Sequence, residues 1–275
     1  MVNEQAYYAG GFKKSVSDTH TWRNVDNSAK FVTNVLQPSF QVLDVGCGPG
    51  TITIDFAQNY LNEQGFITGV EPTRELIEIA KSNKDEIAPK CTNIKFEIAS
   101  IYELPYDDDT FDLVHAHQVV VHLQDPVAAL AELKRVTKPG GYVCVKDADL
   151  ETIIVTPSKY EVLRQYSLMT AQNAVSTDTK GGRTLREKAI KAGYEPSDIA
   201  TSRSHWLLCD DFDAKRQWVD LMTKRQRCSG EKIYADDEAK NEAAKSDSIA
   251  KWQEWGNDPT SIFDVSSFEI TYRKP

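Results

Sequence analysis

Apolar and polar positions follow two rhythms through the middle of the chain, from about residue 40 to residue 146. Short runs of period two alternate with longer runs of period 3.6. Gln41–Val45 is a β-branched run that ends at a glycine turn. Across Thr51–Leu61, the residues Ile52, Ile54, Phe56, Ala57, Tyr60 and Leu61 form one apolar face, which predicts a helix. Phe66–Val70 reads as a second strand, and Leu76, Ile77, Ile79 and Ala80 then repeat at helical spacing within Thr73–Ser82. Ile94–Ile98 alternates as a third strand, and Phe111–Ala116 is a fourth, opened by the turn formers Asp107-Asp108-Asp109-Thr110. Asp125-Pro126 has the form of an N-cap followed by proline at the first helical position, starting a helix through Ala129, Leu130, Leu133 and Val136. Lys138-Pro139-Gly140-Gly141 predicts the stop, and Tyr142–Val145 a fifth strand. Strands separated by helices of this length pair in parallel through right-handed crossovers, so the fold class is α/β with an open doubly wound sheet.

Beyond Asp149 the rhythm changes. Thr156–Ser176 and Thr184–Ala192 are helical, and Gly193 ends the second of them. Ser204–Cys209 and Val265–Tyr272 read as strands, with the long, charged helical stretch Asp211–Trp255 between them. Two strands split by a helical excursion predict an antiparallel edge pair that carries an inserted cap. No internal repeat or low-complexity segment interrupts this plan.

Composition narrows the class without naming it. A length of 275 residues suits one substantial core with an elaboration. The net charge of −9 argues against a nucleic-acid partner, whose footprint is an excess of Lys and Arg on one face. The N-terminus lacks a basic region followed by an apolar stretch, and no apolar run is long enough for a membrane span. Five scattered cysteines without a Cys-x-x-Cys pair fit reduced thiols in a cytoplasmic protein better than a disulfide framework or a zinc site. Nothing in the sequence specifies the oligomeric state.

The glycine turn carries the first chemistry. Asp44-x-Gly46-x-Gly48-x-Gly50, between a strand and a helix, presents backbone N–H groups that a ligand can approach closely. The dinucleotide fingerprint needs glycine at the sixth position counted from Gly46, where Thr51 stands, and this disfavours a nicotinamide oxidoreductase. An acidic residue inside the turn suits a cationic ligand better than a pyrophosphate, acting directly or through the hydrogen bonding of the turn.

The run Val42-Leu43-Asp44-Val45-Gly46-Cys47-Gly48-Pro49-Gly50 resembles motif I of the class I S-adenosylmethionine (SAM)-dependent methyltransferases, in the small-molecule branch that includes the quinone-biosynthesis C-methyltransferases. The later landmarks follow in the family's order. Glu71, before Pro72, stands where the family has an acidic residue accepting from both ribose hydroxyls, a task for which a carboxylate has two acceptor oxygens. Ala99-Ser100-Ile101, followed by Leu104-Pro105-Tyr106, resembles the adenine-pocket stretch, with Ser100 replacing the usual Asp and Ile101 against the ring. Phe111-Asp112 and Lys138-Pro139-Gly140-Gly141 complete the likeness, which is strong from Thr33 to Lys146. A weaker likeness to a fungal and bacterial subgroup of unknown acceptor extends through His20-Thr21-Trp22-Arg23 and the C-terminal helices. The resemblance implies a Rossmann-like, mostly parallel, seven-stranded sheet with an antiparallel edge strand and a helical cap. It implies a lid segment over residues 1–30, a SAM-binding core over 31–150, and remaining core strands with cap insertions over 151–275, all in one domain. The implied cofactor contacts are Asp44, Gly46, Cys47, Gly48, Glu71, Pro72, Ala99, Ser100, Ile101, His117, Gln118 and Val119.

His117 and His122, at and just past the end of the fourth strand, are the candidate catalytic residues, because related enzymes border the acceptor there. An imidazole can take the proton of a phenol, an enol or an activated carbon. A metal site of His115, His117 and His122 is disfavoured because no carboxylate lies at helical ligand spacing, so no metal is expected. His117-Gln118-Val119-Val120 also lacks the prolines and aromatic that hold a flipped base in the amino-methylating nucleic-acid enzymes of this fold. Candidate acceptor contacts are Tyr8, Trp22, Arg23, His122, Asp147 and Asp149, with Tyr7 nearby in sequence. Trp218, Trp252 and Trp255 either wall an apolar acceptor site or pack a core. The reading that follows is methyl transfer from SAM, leaving S-adenosylhomocysteine, to a small molecule by in-line displacement. A protein or peptide methyltransferase and a non-catalytic SAM-binding or scaffolding module are the alternatives.

Overall fold

The computed structural model describes residues 12–275. Within them the chain forms α1 (Lys14–Ser17), β1 (Gln41–Val45), α2 (Thr51–Asn59), β2 (Phe66–Glu71), α3 (Arg74–Ile87), β3 (Ile94–Ile98), β4 (Phe111–His117), α4 (Pro126–Val136) and β5 (Thr137–Ala148). There follow β6 (Ile154–Thr156), α5 (Glu161–Gln172), α6 (Gly181–Lys191), β7 (Ile199–Leu208), α7 (Phe212–Cys228), α8 (Glu238–Asn257) and β8 (Ile262–Arg273). Strands β3, β2, β1, β4 and β5 lie side by side in that order, all parallel. β8 runs antiparallel to β5, and β7 pairs antiparallel with β8 along its far edge. The expected α/β sheet is present, with an eighth strand added: the three-residue β6 extends the β5 edge by pairing with Ile262–Asp264.

Period-two alternation divides the buried side chains between two faces. Leu43, Val45, Val114, Ala116, Val143 and Val145 pack with Leu130 and Leu133 of α4 and Leu185 and Ala189 of α6. Val42, Leu113 and Cys144 point the other way, against Ile52 and Phe56 of α2. The same alternation sends Asp44, His115 and His117 to the α2 face, and Asp147 to the α4–α6 face. A third cluster joins Trp252 and Trp255 of α8 and Val219 of α7 to Ala148, Phe263 and Val265, so the cap packs directly on the end of β5 and on β8.

Local signals explain several boundaries. Asp125 caps α4 by accepting from the Ala128 N–H at 3.0 Å, ahead of Pro126 at the first helical position. The glycine pair after α4 does not delay the next strand as expected. β5 begins at Thr137 and bulges over Lys138–Gly141 opposite Asp112, where Gly140 takes φ +78°. The stretch read as continuously helical divides into α7 and α8, each capped by an aspartate, Asp211 and Asp237. No helix among the described residues is long and apolar enough to cross a membrane.

Candidate active site

A cavity of about 310 Å³ opens at the carboxyl ends of β1, β2 and β4, within the range of small-molecule sites. Its floor is the glycine turn. Gly46, Gly48 and Gly50 all take positive φ (+69°, +53° and +81°), a region that L side chains disfavour. The N–H groups of Gly46 and Cys47 both donate to the Val70 carbonyl, at 2.8 and 3.0 Å, which ties the turn to β2. A Cβ on Gly46 would lie 2.4 Å from Val119 Cγ2, whereas one on Gly48 would meet nothing within 4 Å. The turn is therefore closed on its protein side and open towards the cavity. α2 starts there with no side-chain cap on its first N–H groups, as a ligand-facing helix start requires.

Asp44 lines this floor, but both its oxygens are engaged. Oδ1 bonds His115 Nδ1 at 2.7 Å and Oδ2 accepts from the Thr53 hydroxyl at 2.5 Å. Its contribution is to brace β1, β4 and α2 around the turn. Glu71, with Pro72 next to it, lines the wall. Burial pushes the Glu71 carboxyl up to about 7, opposed by hydrogen bonds from Thr73 and Gly48 rather than by a cation. A carboxylate in that state gains most from a ligand that brings two hydroxyl donors, as a ribose does. Ala99 and Ile101 continue the wall. Ser100 does not line the cavity; its Oγ accepts the Tyr102 N–H at 3.0 Å and shapes the local turn instead.

At the end of β4, Gln118 takes φ +57°, and its side-chain oxygen accepts the Ala148 N–H at 3.1 Å. This kink turns the chain over the cavity, so His117, Gln118 and Val119 all border it. His117 is 6% exposed, and its Nε2 has no hydrogen-bond partner among the described residues. Burial first, then the charges of Arg23 and Lys146, holds its imidazole well below the ordinary histidine range.

The outer half of the cavity is built by distant segments. His122 reaches it from the 3-10 turn Val120–His122, with Nδ1 3.0 Å from the Thr177 hydroxyl. Burial, then Arg225 and Arg23, pushes its pKa down to about 3, so the ring is neutral at physiological pH. His20 is driven well below its usual value by burial and the same two arginines. Trp206 of β7, Trp218 and Met222 of α7, Trp252 of α8 and Phe263 of β8 form the apolar wall. Arg225 is paired with Glu231 at 2.5 and 2.6 Å, and Arg23 stacks over Trp206 at 5.2 Å.

Several expected acceptor contacts lie elsewhere. Asp147 points to the α4–α6 face beside the backbone of Val119 and Val121, fully buried, with its carboxyl pushed up to about 7 by burial. Asp149 is also buried and is held by the Arg183 guanidinium, so it fastens α6 to the end of β5. Trp22 packs edge-on against Trp206 and Trp218 behind the wall, leaving Arg23 and His20 to face the cavity. Trp255 belongs to the cap core, while Trp218 and Trp252 line the site. Tyr7 and Tyr8 lie outside the described residues. Among the described residues no three His, Cys, Asp or Glu side chains gather as metal ligands.

Sequence reasoning missed Trp206, Met222, Arg225 and Phe263 as site residues. Trp206 had a signal, since Ser204, Trp206 and Leu208 share one face of β7. Arg225 had none, because α7 is charged on most sides and only its packing on the cap selects which arginine turns inward.

A glycine cradle open to ligand, a buried carboxylate suited to a diol and an apolar ring pocket at the ends of β1, β2 and β4 define an SAM-dependent methyltransferase. Residues 36–223 match the methyltransferase domain family, and the chain belongs to it. The chain is 41% identical over 276 residues to an uncharacterised methyltransferase of Schizosaccharomyces pombe, covering 98% of both chains. It is 29% identical over 164 residues to an O-methyltransferase of Penicillium expansum, covering 60% of this chain and 55% of that one. In fold it is similar to a Haemonchus contortus phosphoethanolamine N-methyltransferase solved with phosphomonomethylethanolamine and S-adenosylhomocysteine (TM-score 0.53, 16% identity, 97% of this chain and 53% of that one).

Proposed function

We propose that this enzyme methylates an oxygen of a small molecule held under the cap. The observation that carries this is the aromatic outer half of the cavity, continuous with the cofactor floor and lined by α5, α7 and the segment Thr19–Arg23. A concave apolar space of about 310 Å³ suits a compact molecule better than a peptide chain, which needs a long groove. Relatives named O-methyltransferases support oxygen as the atom methylated.

SAM supplies an electrophilic methyl on a sulfonium; the C–S bond breaks with its electron pair left on sulfur as a new C–O bond forms. The chain's own share is alignment and exclusion of water. Gly46–Gly50 and Glu71 anchor the cofactor, with Asp44 bracing the turn. Ala99, Ile101, Gln118 and Val119 border it. Neutral His117 and His122 accept a hydrogen bond from the acceptor hydroxyl as it binds, and orient it before it ionises. His122, held near 3, and His117, held well below the ordinary histidine range, are weak bases, so the acceptor's own ionisation, favoured by Arg23, releases the proton to solvent. Single-turnover rates of His117→Ala and His122→Ala fall about tenfold on this view, the worth of one buried hydrogen bond. Wild-type rates in both would remove the histidines from the reaction. The function itself is tested by incubating the protein with methyl-labelled SAM and a cell extract. Label in the small-molecule fraction, on an alkoxy group, is expected; label confined to protein overturns the reading.

A further inference from the structure

A second cavity, of about 330 Å³, lies beside the first, and among the described residues Trp206 alone borders both. Its indole touches the linings of the two. From the main cavity, the His117 ring lies at 5.9 Å and the Arg23 guanidinium at 5.2 Å. From the second, Trp22 packs edge-on at 4.9 Å, and the Asn27 carbonyl accepts from Trp206 Nε1 at 2.8 Å. A ring held by packing and by its own N–H has one plane available to it, so the indole stands as a fixed partition.

The two chambers differ in chemistry. The outer half of the main cavity is aromatic, whereas the second cavity is floored by Lys146 and Glu269, 3% and 4% exposed, with the ammonium 3.5 Å from the carboxylate. Glu269 also accepts from the Ser202 and Ser204 hydroxyls at 2.6 and 2.5 Å. Asp26 and Lys30, mostly exposed and paired with each other at 2.6 Å, line the second cavity where it reaches the surface. An apolar group gains little against such a floor. A hydroxyl can accept from the ammonium and donate to the carboxylate, so it suits the second cavity and not the first.

Building on the methyltransferase reading, we propose that Trp206 is a specificity-determining residue. It bars the acceptor from the second cavity and restricts the enzyme to molecules without a bulky group beside the reacting hydroxyl. The indole lies 5.9 Å from His117, which orients that hydroxyl, so a substituent on the adjacent carbon meets the ring. Calorimetry on the protein saturated with S-adenosylhomocysteine tests this with 2-naphthol and 3-(4-hydroxyphenyl)-2-naphthol. Wild type binds the arylated compound at least about tenfold more weakly than 2-naphthol. Trp206→Ala raises the ratio of arylated to plain affinity at least about tenfold, or ~1.4 kcal/mol. Met222→Ala, which widens the main cavity alone, raises it less than about threefold. In Trp206→Ala, 3-phenyl-2-naphthol binds about threefold more weakly than its hydroxylated counterpart, the mark of entry into the polar chamber. Trp206→Phe, with a smaller gain of about threefold, serves if the alanine variant does not fold. The proposal is overturned by a wild type that binds both naphthols alike or neither, by equal gains at Trp206 and Met222, by no effect of the distal hydroxyl, or by loss of S-adenosylhomocysteine binding in both Trp206 variants. Wild-type protein that fails to bind S-adenosylhomocysteine sinks the methyltransferase reading instead, so the two failures are distinct.

Discussion

The two halves of the cavity are made in different ways. The inner half is made of backbone: a glycine turn, two strand ends and one carboxylate, all within Asp44–Ile101 apart from the β4 end. The outer half is made of side chains from Thr19–Arg23, the β4–α4 turn, α5, β7, α7, α8 and β8. A backbone site depends on φ and on the absence of side chains, so it tolerates little change and recognises one ligand. A side-chain site changes its preference with each substitution while the fold stays the same. One fold can thus keep the inner half constant while the outer half changes.

The largest effect that would separate the halves comes from Gly46→Ala. The new Cβ meets Val119 at 2.4 Å in a left-handed residue, and S-adenosylhomocysteine affinity drops at least about a hundredfold by calorimetry. A small loss there would show that the inner half is more adaptable than its geometry implies. Glu71→Gln is next, with about a tenfold loss of affinity. It also removes a pH dependence. With a carboxyl pushed up to about 7, wild-type affinity rises as pH increases through 7, because the ionised form accepts from the ribose. The glutamine variant is flat across that range.

The outer half responds in its pH profile. His122 stays neutral from roughly pH 5 to 9, so methyl transfer rises with pH through the ionisation of the acceptor hydroxyl, not through a histidine titration. A rate midpoint that stays fixed while acceptors of different acidity are compared would restore a histidine base. The smallest effect belongs to neither half. Asp147 has its pKa raised from 3.8 to about 7, so its own contribution to stability is full in acid and declines as pH rises through that interval. Asp147→Asn removes the decline and gains on the order of 1 kcal/mol at pH 8 in urea denaturation, with cofactor affinity unchanged.

Much of this was legible in the order of residues. The glycine spacing, Glu71 at a strand end and the alternation of strands with helices depend on neighbours in sequence, because dihedral preferences and apolar periodicity act over a few residues. Alternation also carried a signal against Asp147: it differs in parity from Lys146, and His117 is paired in register with Lys146, so Asp147 faces the opposite layer. That register was needed to see it. Ser100 and Asp149 went astray for a similar reason, since each side chain found a partner, Tyr102 and Arg183, that spacing alone does not reveal.

What the sequence by itself determined is the sheet, the turn and the identity of the cofactor, all written in contiguous stretches. What only the tertiary structure decided is the outer half. Its wall joins side chains from Thr19 to Val265, and which face of α7 or β7 turns inward depends on packing between elements far apart in the chain. Short-range preferences do not encode that choice; burial of the cap on β8 does.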